Sequence, residues 1–399
     1  MSGIVFTSIT ALILVVVLAS PRGPGWLRQA DMVLAAAYNE VPFLFMVLTF
    51  VTLATMVSNG DVFTPLGYVS LVLAVFILVT LAWIAWAQTR DRPVLRRALD
   101  DGLGVGWRDR AAGAGLAQEL ANLDGGTRWG RAVFAPFSWR PRTVARVANL
   151  SYGPAGRSNT LDLYHRRDRP AGAPVLIYLH GGGYHSGTKS RESRELLFRL
   201  AVQGWVTISA NYRLRPRASF AEHLADAKRV LAWVHEHVTD YGGDADVLVM
   251  TGGSAGAHLA TICGLSQNDA QWQPGFEAAD TSLSAVVGCY GWYGGYYGIG
   301  GADSWAGPLG HPAQAAPPTM IIHGRRDPVA AVGDARRLVD HLRAGSSEPV
   351  VYAELPAAHH SFDLFHSVRA EAALDAVQAF TAWLRTRASS GITVQNPRS

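Results

Sequence analysis

Hydrophobic and polar positions follow different rules in the two halves of the chain. Ahead of Gln88 the apolar positions form unbroken runs, Ile4 to Ala19, Val41 to Val57 and Leu66 to Ala87, none of which holds a charged residue. At ~1.5 Å per helical residue the third run is long enough to cross a bilayer, whereas the first two need their flanks to do so. Trp83 and Trp86, near the end of the third run, suit an interfacial aromatic anchor. Beyond Arg142 the apolar positions instead come as short strand-like runs: Thr143-Val147, Leu161-Tyr164, Val175-Leu179, Trp205-Ala210, Val247-Met250, Ala285-Val287, Met320-Ile322 and Val350-Ala353. Helix-period stretches separate them, at Glu192 to Val202, Ala221 to His237, Ala255 to Leu265, Val332 to Arg343 and Ala370 to Arg385. The first two strands read as an antiparallel pair across the Gly153-Pro154 turn. Short apolar strands alternating with amphipathic helices predict an α/β fold, a mostly parallel sheet with helices on both faces.

The stretch between the halves, Gln88 to Arg142, is charged, glycine-rich and aromatic. Pro93 to Leu103 has helical spacing and Ala111 to Gly130 is rich in small residues, so the stretch reads as a juxtamembrane helix and a linker. The expected organisation is a membrane region, 1–87, with two to three transmembrane helices; the linker region, 88–142; a catalytic domain, 143–386; and a flexible tail, 387–399. Arg22 and Arg28 follow the first run and Arg90, Arg92, Arg96 and Arg97 follow the third, while the Ser58 to Pro65 loop carries no arginine. The positive-inside rule then expects the N-terminus outside and the catalytic domain in the cytoplasm. A cleaved signal peptide would reverse this, but Met1-Ser2-Gly3 supplies no basic leader. Glu40, at the edge of the second run, reads as an interfacial carboxylate.

Composition narrows the function. A net charge of +4 over 399 residues gives no support for nucleic-acid binding. Cys263 and Cys289 lack metal-ligand spacing and read as buried small hydrophobes in a reducing compartment. No metal or organic cofactor is implied, and the oligomeric state is not legible.

Chemistry should lie beyond the carboxyl ends of the strands. Val247-Met250 runs through Gly252-Gly253-Ser254-Ala255-Gly256 into a helix, which fits the G-x-S-x-G elbow that lifts a nucleophilic serine out of a strand-to-helix turn. After Val175-Leu179 comes His180-Gly181-Gly182-Gly183-Tyr184, a side-chain-poor strand end able to aim N–H groups at a developing oxyanion. A serine hydroxyl needs a base, and the base an orienting acid. Asp327, in the loop after Met320-Ile322, is the candidate acid, with Asp363 and Asp334 as lesser ones. His359 and His360 are the candidate bases, and the order Ser, Asp, His is the one elbow-bearing hydrolase sheets use. His258, four residues past the serine, reads as a packing or surface residue.

On these ordered motifs, the region from about Thr143 to Thr386 resembles the α/β-hydrolase superfamily, and within it the hormone-sensitive-lipase-like esterases and carboxylesterases with the HGGG signature. The resemblance implies Ser254 as nucleophile, Asp327 as orienting acid and His360 as base, His360 being preferred because Ser361-Phe362 follows it. It implies oxyanion donors from Gly182, Gly183 and Ala255. Asn211-Tyr212-Arg213-Leu214 is similar to the family's YRL segment, except that Arg217 stands where an acidic residue is usual. The apolar front end with Pro93 to Trp107 resembles actinobacterial membrane-associated lipase/esterases. The aromatic and glycine-rich segment Gly288 to Gly301 would wall an acyl pocket, form a lid or simply pack; Tyr184, Tyr290 and Trp292 are the pocket candidates.

The expected function is a membrane-anchored serine esterase acting on a small-molecule or lipid ester through an acyl-enzyme. Membrane lipids are the other expected partner. An amidase or acyltransferase on the same triad, and a non-catalytic membrane scaffold, are the alternatives.

Overall fold

The computed structural model describes residues 2–19, 25–168 and 171–389. Most of the predicted tail, residues 390–399, and Arg22 lie outside the described residues.

Each apolar run of the second half becomes a strand: β1 (Val144–Ser151), β2 (Thr160–Arg166), β3 (Ala173–Leu179), β4 (Val206–Ala210), β5 (Gly243–Gly253), β6 (Ala285–Cys289), β7 (Thr319–Gly324) and β8 (Val350–Leu355). They form one sheet in the order β1-β2-β4-β3-β5-β6-β7-β8. β1/β2 and β2/β4 pair antiparallel and every other pair is parallel, which makes the sheet mixed. The central strands β3, β4 and β7 are buried along almost their whole length, as their near-continuous apolar runs lead one to expect. Helices α9 (Arg194–Val202), α10 (Phe220–His237), α11 (Ala255–Leu265), α12 (Val332–Gly345) and α13 (Val368–Ser389) cover them. The start of α10 is set by a capping box, in which the Ser219 hydroxyl accepts from the Glu222 amide while the Glu222 carboxylate accepts from the Ser219 amide.

Ahead of the sheet lie α1 (Ser2–Ala19), α2 (Gly25–Glu40), α3 (Pro42–Ser58), α4 (Pro65–Thr89), α5 (Asp91–Leu103), α6 (Trp107–Gly113), α7 (Ala117–Asp124) and α8 (Trp129–Phe134). The α2 helix is not foreshadowed by any of the three apolar runs. Among the described residues, the helical stretch Pro65–Leu103 is long and apolar enough to cross a membrane; Met32–Glu40 with Pro42–Ser58, bent by 78°, makes a second candidate if counted as one span. Helices α1, α2 and α4 share a core of Leu14, Tyr38, Ile77, Leu81 and Ile84, and Phe45 and Met46 of α3 pack against it, so the four helices form one bundle. At the far end of this bundle Gly3 lies against Met56. At the near end the Arg326 guanidinium donates to the Leu18 carbonyl at 3.4 Å, so the bundle meets the hydrolase body at the side of the sheet where β7 ends.

Residues 88–142 do not behave as a linker. Leu95, Leu99 and Leu103 of α5, Trp107 of α6 and Leu120 and Leu123 of α7 are buried in one core with Val351 and Ala353 of β8 and Phe380 and Trp383 of α13. A Cβ on Gly102 would stand 2.7 Å from the Val351 side chain, so α5 lies directly on β8. The boundary expected at residue 143 therefore moves: the hydrolase body begins at α5. Short helices broken at Gly104, Gly106 and Gly125 expose enough charge to look like a connector, because only their narrow apolar stripes meet the core.

Candidate active site

The β5–α11 junction holds Ser254 at φ 55° and ψ −120°, a left-handed backbone that is costly for a side-chain-bearing residue, of the order of 1–3 kcal/mol. The surrounding structure imposes it. The Ser254 amide donates to the Cys289 carbonyl at the end of β6 (3.0 Å), and the Ser254 carbonyl accepts from the Trp292 amide (3.2 Å). Two residues on, a Cβ at Gly256 would fall 2.0 Å from the Leu179 carbonyl oxygen, so the first turn of α11 can press against the end of β3 only as glycine.

His360 and Asp327 converge on this serine. His360 Nε2 lies 2.9 Å from Ser254 Oγ, and His360 Nδ1 lies 2.6 Å from Asp327 Oδ2. Asp327 Oδ1 accepts from the amides of Val329 and Ala330, both at 2.8 Å. Burial pushes the Asp327 carboxyl up, but the charge and hydrogen bond of His360 outweigh it and hold the group below its ordinary value. The loop is anchored one residue beyond Ser361 by the fully buried Phe362, whose ring meets Tyr290 edge-on at 5.0 Å; Tyr290 in turn packs on the His360 ring at 4.9 Å. His359 is buried apart from this chain of bonds, and burial pulls its imidazole down to about 3. The rival acids are engaged elsewhere: Asp363 bonds Ser193 Oγ (3.1 Å) and the Tyr290 hydroxyl, and Asp334 accepts from Arg337 (2.9 Å).

Register sets the glycine run beside the elbow. Leu179 pairs with Gly252, so the segments that follow β3 and β5 leave the sheet as neighbours. A Cβ on Gly181 would stand 3.2 Å from the Ser254 Cβ. Gly182 has φ 110° and lies so close to Ser186 that a Cβ would meet its carbonyl oxygen at 2.2 Å. Neither Gly182 nor Gly183 donates its amide to a backbone acceptor among the described residues. The loop is fixed from below. Glu192 Oε2 accepts from the Gly181 amide (2.7 Å) and the Tyr178 hydroxyl (3.1 Å), while the Tyr212 hydroxyl donates to the His180 carbonyl (2.7 Å). Burial pulls His180 down to about 4, so near neutral pH it is an uncharged ring whose Nδ1 sits 2.7 Å from the Gly181 carbonyl.

Among the pocket candidates, Tyr184 is a correction. It is 1% exposed, its hydroxyl lies 2.6 Å from His258 Nδ1, and it stacks on His223, so it pins the back of the glycine loop instead of lining a cavity. The same bond makes His258 a buried packing residue. Tyr290 is likewise buried and backs the imidazole. Trp292 is half-buried and stacks on the exposed Tyr297, whose hydroxyl would lie 3.2 Å from a Cβ on Gly183. The Gly288 to Gly301 segment thus divides: Tyr290, Tyr293 and Tyr296 pack inward, and Trp292 and Tyr297 overhang the glycine loop.

Glu192 was not foreshadowed, because an acidic residue a few positions past a glycine run carries no local signal of its partner. Glu40 differs from its expected role: it is buried, paired to Arg369 Nη1 at 2.5 Å and to Ser367 Oγ at 2.7 Å. An isolated charge beside apolar runs was the available signal. Among the described residues no group of three His, Cys, Asp or Glu side chains is placed to hold a metal ion.

Comparison with known proteins shows the family of the chain. The chain is 37% identical over 378 residues to the probable carboxylic ester hydrolase LipM of Mycobacterium tuberculosis, covering 85% of each chain. It is 36% identical over 323 residues to the esterase LipQ of the same organism, covering 74% of this chain and 75% of that one. The chain belongs to the hormone-sensitive-lipase-like carboxylesterases. This carboxylesterase also matches the BD-FAE family model over residues 161–294. Solved structures share its fold. One is a truncated form of a carbohydrate esterase from gut microbiota, with TM-score 0.54 and 17% identity, covering 61% of this chain and all of that one. Another is the butyrate-bound esterase Est2 of Thermogutta terrifontis, with TM-score 0.53 and 21% identity, covering 63% of this chain and 96% of that one. The enzyme is thus a carboxylic ester hydrolase on an α/β-hydrolase-like fold.

Proposed function

We propose that this carboxylesterase works through Ser254, His360 and Asp327 as a catalytic triad. The observation that carries the reading is the unbroken series of short contacts from Asp327 Oδ2 through the His360 ring to Ser254 Oγ. Ser254 Oγ attacks the ester carbonyl while His360 Nε2 takes its proton; Asp327 holds Nδ1–H and favours the imidazolium that forms. The amides of Gly182, Gly183 and Ala255 receive the negative charge on the carbonyl oxygen, a contribution for which losing one donor costs roughly 10²–10³ in rate. His360 then returns the proton to the departing alkoxide oxygen, and a water deprotonated by the same imidazole releases the acid.

The acyl or alcohol group lies under Trp292 and Tyr297, and the substrate is a lipophilic ester drawn from a bilayer. Supporting this, the bundle of α1 to α4 exposes large aliphatic and aromatic side chains, among them Leu12, Phe50, Val72 and Val79, that a water-facing surface rarely gathers. The enzyme is a multi-pass membrane protein with the hydrolase body in the cytoplasm. Wild-type enzyme should react covalently with a fluorophosphonate probe and Ser254→Ala should not; equal labelling of the two would overturn the nucleophile assignment. Turnover of p-nitrophenyl esters should rise with acyl length. Digestion of the hydrolase body by protease added outside intact cells would reverse the orientation.

A further inference from the structure

Four segments must hold the proposed machinery to a few tenths of an ångström, and they are not held alike. The serine is clamped between β5, β6 and α11, and the glycine loop rests on Glu192 and Tyr212. Both supports are internal to the hydrolase body. The base lies on a long irregular connection, 356–367, between β8 and α13, and a connection of that kind is the mobile part of a site unless it is tied down. Its middle is tied from within the body, by Asp363 to Ser193 and Tyr290.

Both of its ends are also tied to the N-terminal bundle. Three residues before the base, the Ala357 carbonyl accepts from Asn39 Nδ2 at 3.2 Å. At the other end Ser367 Oγ donates to Glu40 Oε2 at 2.7 Å, and Arg369 reaches Glu40 Oε1 through Nη1 and Asp91 Oδ2 through Nε, each at 2.5 Å. Glu40, Asp91, Ser367 and Arg369 are each at most 3% exposed. Gln88 Nε2, at the end of α4, donates to the Asn39 carbonyl at 2.5 Å, so the α2–α3 bend is fastened to α4 as well. The acid loop is tied to the same bundle: Arg326, beside Asp327, donates to the Leu18 carbonyl and lies 5.9 Å over the Trp83 ring.

Buried charges are costly unless paired, and apolar contacts would bind two bodies together as tightly; what the directional pairing of Arg369 with Glu40 and Asp91 adds is a preferred geometry, although Arg369 Nη2, Asp91 Oδ1 and Gln88 Oε1 find no hydrogen-bond partner among the described residues. We infer that Asn39 and Glu40, at the bend between α2 and α3, are positioning residues for His360, and that the N-terminal bundle holds the base and acid loops in register with Ser254. The bundle is then a working part of the active site as well as an anchor. The inference rests on the triad reading above.

The test uses the full chain, purified in detergent. In Glu40→Gln, Arg369 keeps Asp91 as its counter-ion, so no buried charge is orphaned. With p-nitrophenyl esters, kcat is expected to fall tenfold or more while KM stays within twofold, fluorophosphonate labelling should slow by a similar factor, and Glu40→Asp should recover part of the loss. Asn39→Ala, which removes only the tie to Ala357, should lower kcat about threefold, and it carries the test if Glu40→Gln does not fold. Wild-type kcat in folded Glu40→Gln, or in Asn39→Ala where that variant carries the test, overturns the inference, whatever happens to the melting temperature. The controls separate the two readings. If Ser254→Ala or Asp327→Asn retains wild-type turnover, the triad reading itself has failed. If both abolish turnover and Glu40→Gln does not slow it, only the positioning role has failed.

Discussion

Replacing Asp327 by asparagine tests the order of the hydrogen bonds, because the backbone decides which way the new amide must face. In the wild type Oδ1 takes two N–H donors, from Val329 and Ala330, each at 2.8 Å. An asparagine must offer its carbonyl oxygen to that pair, since an NH₂ group facing two donors would leave all of them unpaired in a buried site. The NH₂ then occupies the Oδ2 position, 2.6 Å from His360 Nδ1. A donor there demands a lone pair on Nδ1, so the ring proton moves to Nε2, the atom 2.9 Å from Ser254 Oγ. The imidazole now donates to the hydroxyl and cannot accept its proton. In a serine-protease triad the same substitution lowers kcat by about 10⁴-fold, which at ~1.36 kcal/mol per decade is about 5.5 kcal/mol of transition-state stabilisation. The change is isosteric and retains both backbone bonds, so the melting temperature should move by only a few degrees. The assay is kcat on a p-nitrophenyl ester at neutral pH, with thermal unfolding measured on the same sample. A folded Asp327→Asn enzyme within tenfold of wild type would refute the proposed tautomer and the role of Asp327 with it.

Three further outcomes are expected. Glu192→Gln, which weakens the charge-assisted bond to the Gly181 amide, should lower kcat roughly tenfold at nearly constant KM, in line with the ~1.5–3 kcal/mol such bonds contribute; unchanged kcat would show that the glycine loop holds its shape without it. Leu99→Ala should destabilise the enzyme by about 2–5 kcal/mol in chemical unfolding, as a buried core truncation does, whereas a residue in a true linker would change stability by less than about 0.5 kcal/mol. Glu371 concerns pH. Burial raises its carboxyl, but the bonds and charges of His366 and Arg199 lower it further, to about 2 against an ordinary 4.5. The folded state therefore binds its proton less readily than the unfolded chain. The stabilisation is complete above about pH 4.5 and drains away as pH falls towards about 2. Glu371→Gln should be less stable than wild type at neutral pH and lose stability less steeply on acidification; parallel acid limbs for the two proteins would refute the assignment.

Much of this enzyme is local, and what is local can be read along the chain. Strands such as Val175-Leu179, the helix from Ala255 to Leu265, the Gly-x-Ser-x-Gly turn and the glycine run after β3 each follow from side-chain period and backbone freedom over a few residues. Their order along the chain was enough to name Ser254, with Asp327 and a histidine pair as its partners. Other features depend on surfaces that meet only in the folded molecule. Nothing next to Glu192 in sequence announces the Gly181 amide, and Tyr184 could line a cavity or back a loop until His258 and His223 close over it. The α5–α7 stretch looks like a connector because its apolar stripe is narrow, and it becomes core only where β8 and α13 complete it. Glu40 is the clearest case: its charge looks interfacial beside apolar neighbours, and it is buried only because Arg369, more than three hundred residues later, arrives with the opposite sign. Period and turn chemistry are properties of a segment, whereas the pairing of a buried charge is a property of two surfaces, and only the tertiary structure brings those surfaces together.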